Sequence, residues 1–403
     1  MAAAERFGPF ELVCRLAEGG MATTWLARRH GDTPGREFVL KRVHPRYASH
    51  VEARESFLEE SRVSTLLDHP NIVRALPAGT ISGEPYLPMD FVWGGDLRSV
   101  HRACALSGRR LPLGFSVAVV EQVARGMAWA HRLTDEHGQP LGLVHRDISP
   151  PNIMLGFDGG VRIVDFGIVR LNPDAATVRT GQLKGKFGYM SPEQVLGLEL
   201  DGRSDIFSLG IVLYELCTTR RLFRAESDFA SAQQIAAADV EPPSVADPTF
   251  PPELEAIILR TLAREPGDRW PDADVLADVL RSWRLSVEDP WDTVRIGALV
   301  RELLPEAWAS MREIAGPEYP GPVSVVELDL PSPDEVERQF PPGTDPTEAT
   351  LFPSEPPTDA DRDPVAAFME RERRQRRRTA WLAAGFVALA VLAILMWSRA
   401  GFR

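Results

Sequence analysis

The sequence predicts an α+β fold in two lobes, a small β-rich one followed by a larger helical one. Residues 10–92 alternate short apolar runs and contain one helical pattern, FLEESRVSTLLDH. From about residue 96 to 284, apolar residues recur at helical spacing in three stretches: SVAVVEQVARGMAWAHRL, SDIFSLGIVLYELC and PDADVLADVLRSWRL. With 403 residues, 44% of them hydrophobic, the chain can bury cores of this size. We therefore place the lobes at residues 10–92 and 93–284.

The composition excludes several classes of protein. The three cysteines, Cys14, Cys104 and Cys217, lie far apart, which argues against a disulfide framework or a zinc site and fits a reducing compartment. The N-terminal residues have no basic start followed by an apolar stretch, so we expect no secretory signal there. The net charge is −12, and no basic face is evident in the folded part, so nucleic acid is not expected as a partner.

Two segments follow the second lobe. Residues 285–315 have a helical pattern and are expected to form an extension that can pack on that lobe, whose function the sequence does not reveal. Residues 316–370 are rich in Pro, Thr and acids and show no apolar period, so they are predicted to be a disordered linker.

The C-terminal stretch predicts a membrane anchor. Residues 379–397 are 19 residues without a charge, with Trp381 and Trp397 at the ends where interfacial aromatic residues belong. A buried core helix is the alternative reading, but the stretch follows a linker. The basic residues 371–378 precede it, which places the lobes on the cytoplasmic side of the inner membrane and residues 398–403 outside.

The strongest chemical signal is a carboxylate, an amide and a second carboxylate in order. Asp147 lies in His145-Arg146-Asp147-Ile148-Ser149-Pro150-Pro151-Asn152, and Asp165 opens Asp-Phe-Gly thirteen residues after Asn152, behind a strand-like VRIV. This order suits one base and two metal ligands. Each triplet alone arises by chance in many proteins, but both at this spacing indicate a functional site.

These residues resemble the Hanks-type protein kinases, in particular the bacterial serine/threonine branch, over about residues 10–284. The resemblance implies the bilobal kinase fold, ATP and Mg²⁺ as cofactors, with Mn²⁺ as an alternative ion, and phosphorylation of Ser and Thr on proteins, including the chain itself. It implies that Asp147 is the catalytic base and that Asn152 and Asp165 hold Mg²⁺.

Other family positions follow from the same resemblance. Phe38-Val39-Leu40-Lys41 is similar to Val-Ala-Ile-Lys, so Lys41 would pair the α- and β-phosphates. Glu60 would orient Lys41; Glu59 is a competitor one residue away, and the distance to His69 favours Glu60.

The resemblance also implies an adenine pocket and structural contacts. Met89 would be the gatekeeper, and the hinge residues Asp90 and Val92 would offer backbone groups. The remaining residues expected around adenine are Leu16, Val39 and Met154. Three structural roles are implied: Glu193 would pair with Arg269, Asp205 would brace the catalytic loop (residues 145–152), and Arg146 would bind an anion on a nearby loop.

Two departures from the family stand out. The glycine-rich loop keeps only one of the three motif glycines, because Gly-x-Gly-x-x-Gly falls on Ala17, Gly19 and Ala22. Without the resemblance, Gly19-Gly20 would be read as an ordinary hairpin turn. The loop residues expected near the phosphates are Ala17, Glu18, Gly19, Gly20, Met21, Ala22 and Thr24.

The second departure concerns Ser149 and Lys186. The family usually has Lys two residues after the catalytic Asp and Thr in Gly-Thr-x-x-Tyr; here these positions are Ser149 and Lys186. We predict an exchange in which the Lys186 ammonium reaches the γ-phosphate and Asp147 while Ser149 supplies the hydroxyl. The alternative is a damaged enzyme with a solvated Lys186.

The sequence also suggests switches and partners. Thr180, and next Thr177, lie where related kinases carry regulatory phosphates that could pair with Arg146. In the linker, Thr344, Thr347, Thr350 and Thr358 are candidate docking sites for phosphothreonine-reading domains, although a plain tether is the simpler reading. A homodimer is expected by analogy alone.

The competing hypothesis for the whole chain is a pseudokinase scaffold that binds nucleotide and recruits partners to the membrane.

Overall fold

The computed structural model describes residues 5–19, 21–32, 34–48, 50–166, 187–223, 228–288, 290–315, 328 and 330–344. These residues belong to one compact unit, Met1–Glu348. Among the predicted features, Gly20, the segment 167–186 with Thr177, Thr180 and Lys186, and everything beyond residue 344 lie outside the described residues.

The first lobe is built on a six-stranded antiparallel sheet in the order β1-β2-β3-β4-β6-β5. Its strands are β1 (Glu5–Phe7), β2 (Phe10–Glu18), β3 (Ala22–Arg29), β4 (Phe38–Val43), β5 (Gly79–Ile81) and β6 (Glu84–Met89). Its helices are a single turn, α1 (Pro45–Ala48), and α2 (Val51–Ser64). The helical pattern predicted through His69 ends earlier, because Thr65 caps α2.

The alternation along β4 separates the two faces of this sheet. Phe38 and Leu40 point into an apolar cluster with Phe10 and Tyr86 on the outer face. Val43 points the other way and packs with Phe57 of α2. Because successive strand side chains face opposite sides, Lys41 is on the α2 face and thus between α2 and the second lobe.

The second lobe is a helical layer around two central buried helices. Its helices are α3 (Leu97–Leu106), α4 (Leu113–His131), α5 (Pro192–Leu196), α6 (Gly202–Thr218), α7 (Asp228–Ala237), α8 (Pro243–Ala246), α9 (Pro252–Thr261) and α10 (Ala273–Ser286). The central ones, α4 and α6, are buried along most of their length. The three long helices predicted from periodicity correspond to α4, α6 and α10.

A small sheet faces the first lobe. It contains β7 (Gly94–Asp96), β8 (Ile153–Gly156) and β9 (Val161–Ile163) in that order. Single-turn 3₁₀ helices at Pro150–Asn152, Phe187–Tyr189 and Pro266–Asp268 complete the lobe.

The segment 285–315 forms two helices that pack on the second lobe, α11 (Thr293–Leu303) and α12 (Pro305–Ala315). The Trp308 ring meets Phe157 edge-on at 4.9 Å. Gly159 has φ +86°, and a Cβ there would collide with the Thr293 carbonyl. Only glycine therefore allows α11 to approach the β8–β9 turn so closely.

The predicted disordered linker is wrong for part of its length. Leu328 and residues 330–344, which we call the strap, lie on the first lobe and contain α13 (Pro333–Gln339). A capping box between Ser332 and Glu335 starts this helix, with Pro333 at its first position. The periodicity was hidden because its apolar residues are few and separated by prolines and acids.

No helix among the described residues is long and apolar enough to cross a bilayer. The stretch predicted to do so, residues 379–397, lies outside them, so the membrane anchor stays a prediction.

Candidate active site

The catalytic loop rests on one buried carboxylate. Asp205, near the start of α6, accepts hydrogen bonds from the backbone N–H groups of His145 at 2.7 Å and Arg146 at 2.8 Å. Its Oδ2 also lies 2.8 Å from His131 Nε2. Burial acts to raise the pKa of Asp205, but the hydrogen bond and charge of His131 lower it below its usual value. Asp205 therefore stays ionised and braces the loop, the role that the resemblance implied.

The His145 ring ties the loop to the strand that precedes Asp165. The Asp147 N–H donates to His145 Nδ1 at 3.2 Å, so Nε2 carries the proton and donates to the Val164 carbonyl at 3.1 Å. Burial lowers the pKa of His145, which keeps the ring neutral. The ring also contacts Phe166 at 4.6 Å.

Asn152 fixes the backbone of Asp147. Its side-chain N–H donates to the Asp147 carbonyl at 2.8 Å, and its own carbonyl accepts the Val164 N–H at 3.0 Å. Ser149 is buried, and its hydroxyl lies 3.4 Å from the same Asp147 carbonyl. Because the Asn152 side-chain nitrogen donates to the Asp147 carbonyl, the amide oxygen is the group of this side chain that suits a metal.

Lys41 joins the two lobes. Its ammonium lies 2.6 Å from Glu60 of α2 and 3.2 Å from Asp165. Glu59 is exposed on the same helix, so the structure selects Glu60 of the two candidates. Burial acts to lower the pKa of Lys41, but the charges of Asp165 and Glu60 outweigh it and raise this pKa above the ordinary value. Lys41 is therefore a fixed cation in the cleft.

The residues proposed as metal ligands fit Mg²⁺ in chemistry. Mg²⁺ in phosphate-transfer sites takes one or two carboxylates and completes its shell with phosphates and water. Asp165, with a side chain 54% exposed, and Asn152 offer such a partial set on one side of the cleft. Within the described ranges there is no cluster of three His, Cys, Asp or Glu residues that could hold a metal by itself.

The hinge follows β6. Met89 ends this strand opposite Val39 of β4, and the Asp90 N–H donates to the Arg74 carbonyl at 2.9 Å. The Asp90 N–H is therefore already bonded within the protein. Val92 is buried in the hinge, and Met154 lies on β8.

The glycine loop is a tight hairpin between β2 and β3. The Gly19 N–H donates to the Ala22 carbonyl at 2.9 Å, which closes the turn. Glu18 pairs with Thr23 and Ala17 with Thr24 across the strands. Leu16, on β2, is 43% exposed.

His44 holds this hairpin, a contact that the sequence did not reveal. Its ring lies 3.2 Å from the Gly19 carbonyl and 3.3 Å from the Thr23 hydroxyl, while its backbone N–H donates to Met21 at 2.9 Å. The signal is absent from local motifs, since 25 residues separate His44 from Gly19.

A buried ion pair anchors the segment after residue 186. Arg269 donates to both Glu193 oxygens at 2.7 and 2.8 Å, and Ser204 adds a third hydrogen bond at 2.6 Å. Burial acts to raise the pKa of Glu193, but these bonds lower it below its usual range. The next residue, Gln194, donates to the Arg146 carbonyl at 2.9 Å, which couples the ion pair to the catalytic loop.

A second polar cluster, next to the 3₁₀ turn at Phe187–Tyr189, was not predicted from the sequence. The Tyr189 hydroxyl donates to Glu215 at 2.6 Å, and Arg221 contacts both. Burial raises the pKa of Glu215, which strengthens the need for these partners. The cluster fixes the 3₁₀ turn before Ser191, and no short motif in the sequence marks it.

Comparison with known proteins agrees with this geometry. Residues 10–280 match the protein kinase domain model. The chain is 41% identical over 278 residues to the tyrosine-protein kinase MasK of Myxococcus xanthus, covering 69% of this chain and 43% of MasK. It is 34% identical over 259 residues to the serine/threonine-protein kinase PknL of Mycobacterium tuberculosis, covering 64% and 61%.

A solved structure shares the fold. The PknI kinase domain of M. tuberculosis superposes with a TM-score of 0.51 at 24% identity, covering 70% of this chain and 98% of that one. The chain therefore belongs to the protein kinase family, and the predicted two-lobed fold is confirmed. Its relatives place it in the bacterial Hanks-type branch. The chain spans less than half the length of MasK and of the probable serine/threonine-protein kinase SCO3848 of Streptomyces coelicolor, 43% and 41%.

Proposed function

We propose that the chain transfers the γ-phosphoryl group of ATP to serine and threonine hydroxyls of proteins, itself included. The observation that carries the proposal is the Lys41 ammonium, held between Glu60 and Asp165 in the cleft that also contains Asp147. A kinase needs this cation and this acid together, because the triphosphate must be paired and the metal held beside the base.

Each residue has one task in this proposal. Lys41 pairs phosphate oxygens, and Asn152 and Asp165 would hold Mg²⁺, which neutralises charge on the phosphates when bound. Asp147 orients the acceptor hydroxyl and takes its proton. Asp205 and Asn152 keep the Asp147 backbone in place, so little reorganisation is needed during the reaction.

The identity of the acceptor has two candidates. PknL and SCO3848 are named serine/threonine-protein kinases, and Gly185-Lys186-Phe187-Gly188-Tyr189 resembles the loop of that branch. MasK, at 41% identity, is named a tyrosine-protein kinase, which favours tyrosine as the second candidate.

Three finer features belong to the proposal. In the first, Lys186 supplies the cation and Ser149 the hydroxyl at the γ-phosphate. The buried position of Ser149, with its hydroxyl 3.4 Å from the Asp147 carbonyl, supports the part of this exchange that concerns Ser149. Thr180 and Thr177 are proposed phosphosites, with a phosphate there pairing with Arg146. Residues 379–397 are proposed to anchor the kinase in the inner membrane, on the support of their length and lack of charge.

Transfer of radiolabel from ATP to the chain and to a generic protein tests the proposal. The matched control is Asp147→Asn, which keeps the size of the side chain and removes the base. We expect labelling by the wild type on serine and threonine, shown by phosphoamino acid analysis, and at most residual labelling by the variant. Label on tyrosine alone would move the assignment to the second candidate. Equal labelling by both proteins would contradict the enzyme and favour a scaffold.

A further inference from the structure

The strap returns the chain from the second lobe to the first. Helix α12 ends at Ala315, which is buried against the second lobe. Leu328 and residues 330–344 then lie on the outer face of the six-stranded sheet, with residues 316–327 connecting the two parts. The proposed phosphoryl transfer uses none of these residues, so their packing calls for another role.

The apolar side of the strap completes the outer core of the first lobe. Leu328 and Val336 are 2% and 1% exposed in the cluster that contains Phe10 and Tyr86. Phe340 packs on the same cluster from its rim. Helix α13 lies against β5, which is an edge strand of the sheet. The strap therefore covers both an apolar face and an edge that would otherwise be open.

The polar end of the strap is held by hydroxyl groups. The Ser82 N–H, in the β5–β6 turn, donates to the Phe340 carbonyl at 2.9 Å. The Thr344 hydroxyl donates to the Pro341 carbonyl at 2.7 Å and lies 2.8 Å from the Ser82 hydroxyl. Since a hydroxyl has one proton, Ser82 is the donor and Thr344 the acceptor in the second bond.

We propose that Thr344 is a phosphorylation site and that its phosphate releases the strap from the first lobe. Esterification replaces the hydroxyl proton that Thr344 donates to the Pro341 carbonyl. The ester oxygen of Thr344 and this carbonyl oxygen, both acceptors, then lie next to each other without a proton between them. The phosphate also adds a charge of about −1.5 to −2. The turn that receives Thr344, Ile81-Ser82-Gly83-Glu84, contains no base, and its carboxylate, Glu84, is already paired with Arg42 at 2.7 Å.

The phosphate comes from the chain's own reaction, so this inference rests on the proposed function. The bond from Thr344 Oγ1 to the γ-phosphorus forms, the bridging bond to the β-phosphate breaks, ADP leaves with the electron pair, and Asp147 takes the proton. Thr344 is reached when the strap detaches transiently, and the phosphate then traps the detached state. A released tether of residues 316–344 has a reach of about 30 Å, comparable to the size of the domain.

Hydrogen exchange of the full chain tests the release. We expect the Ser82 amide to exchange about tenfold faster in Thr344→Glu than in the wild type, because the bond to Phe340 is lost. Val336→Asp releases the strap by a different route and should give the same pattern. Thr358→Glu adds the same charge fourteen residues further on and should exchange like the wild type. Unchanged protection of Ser82 in Thr344→Glu would overturn the release.

Mass spectrometry after incubation with Mg-ATP tests the modification, with Asp147→Asn as control. Phosphate on Thr344 in the wild type and its absence in the variant support the proposal. Labelling of a generic protein without phosphate on Thr344 would overturn the site while leaving the proposed function intact. Absence of all labelling would contradict the proposed function and with it the source of the phosphate; the exchange of Thr344→Glu would still decide whether charge releases the strap.

Discussion

The catalytic loop and the glycine hairpin face each other across the cleft but are held in different ways. The loop rests on Asp205, which is fully buried, and on the Glu193–Arg269 pair behind it. The hairpin is closed by the bond from the Gly19 N–H to the Ala22 carbonyl and is supported by His44. Buried charges fix the first, whereas the second is held by exposed and partly buried hydrogen bonds.

This difference separates the chemistry from the nucleotide cover. Buried, fully bonded charges leave a loop one conformation, which suits a base that must be ready before the reaction. A hairpin with Ala at two family glycine positions has less φ freedom, and the contact with His44 sets where it rests. Changes at the loop should therefore alter the fold or kcat, and changes at the hairpin should alter the KM for ATP.

The largest effect is expected at Asp205. Asp205→Ala leaves two buried backbone N–H groups and His131 without their acceptor, so the free energy of unfolding should fall by about 3–5 kcal/mol. Denaturant unfolding measures this. Asp201→Ala removes an exposed N-cap carboxylate from the same helix and should cost only about 1 kcal/mol. Equal losses in the two variants would contradict the special role of the buried carboxylate.

Glu60 should come next. Glu60→Gln loosens Lys41 while Asp165 remains, so kcat/KM for phosphoryl transfer should fall roughly 10- to 100-fold through misplacement of the cation. Glu59→Gln is the matched control on the exposed side of α2 and should keep wild-type kinetics. A stronger effect from Glu59→Gln would show that Lys41 pairs with Glu59 rather than with Glu60 in solution.

A smaller effect is expected at the hairpin. His44→Ala removes the ring contacts to Gly19 and Thr23, and the KM for ATP should rise about three- to tenfold with kcat unchanged. His30→Ala changes an exposed histidine between β3 and β4 and should leave both constants as they are. A fall in kcat with an unchanged KM for ATP would contradict the inference that the hairpin acts on nucleotide binding and the catalytic loop on the chemical step.

The smallest effect is expected for the pH dependence of stability that arises from Glu193. The folded-state pKa of Glu193 lies below its value of 4.5 in the unfolded chain, so the unfolded state binds more protons in acid. The stability that this pair contributes is present above that value and is lost as the pH falls toward the folded pKa. Unfolding measured at pH 7 and pH 4 should show a smaller stability gap between wild type and Glu193→Gln at pH 4. A gap independent of pH would mean that Glu193 is not the titrating group.

The sequence predicts the residues of the active site better than it predicts the residues that hold them in place. Asp147, Asn152 and Asp165 stand at spacings that suit one base and two metal ligands, and Lys41 follows from the resemblance of Phe38-Val39-Leu40-Lys41 to Val-Ala-Ile-Lys, so all four can be predicted without a structure. His44 and the Tyr189–Glu215 bond could not be found this way, because they join residues far apart in sequence through ordinary side chains.

The strap shows the same limit for the fold. Leu328 and Val336 are isolated apolar residues in an acidic, proline-rich stretch, and composition alone predicts disorder for such a segment. They are buried because the sheet offers a complementary apolar face made of Phe10, Leu40 and Tyr86. A property of the partner surface cannot be read from the segment that covers it.

Calorimetric titration of the full chain with Mg-ATP tests the central claim most directly, which is that Lys41, Asn152 and Asp165 form a nucleotide site beside Asp147. We expect saturable binding by the wild type and clearly weaker binding by Asp165→Asn. Absence of any binding heat in the wild type, over a range of temperatures, would contradict it.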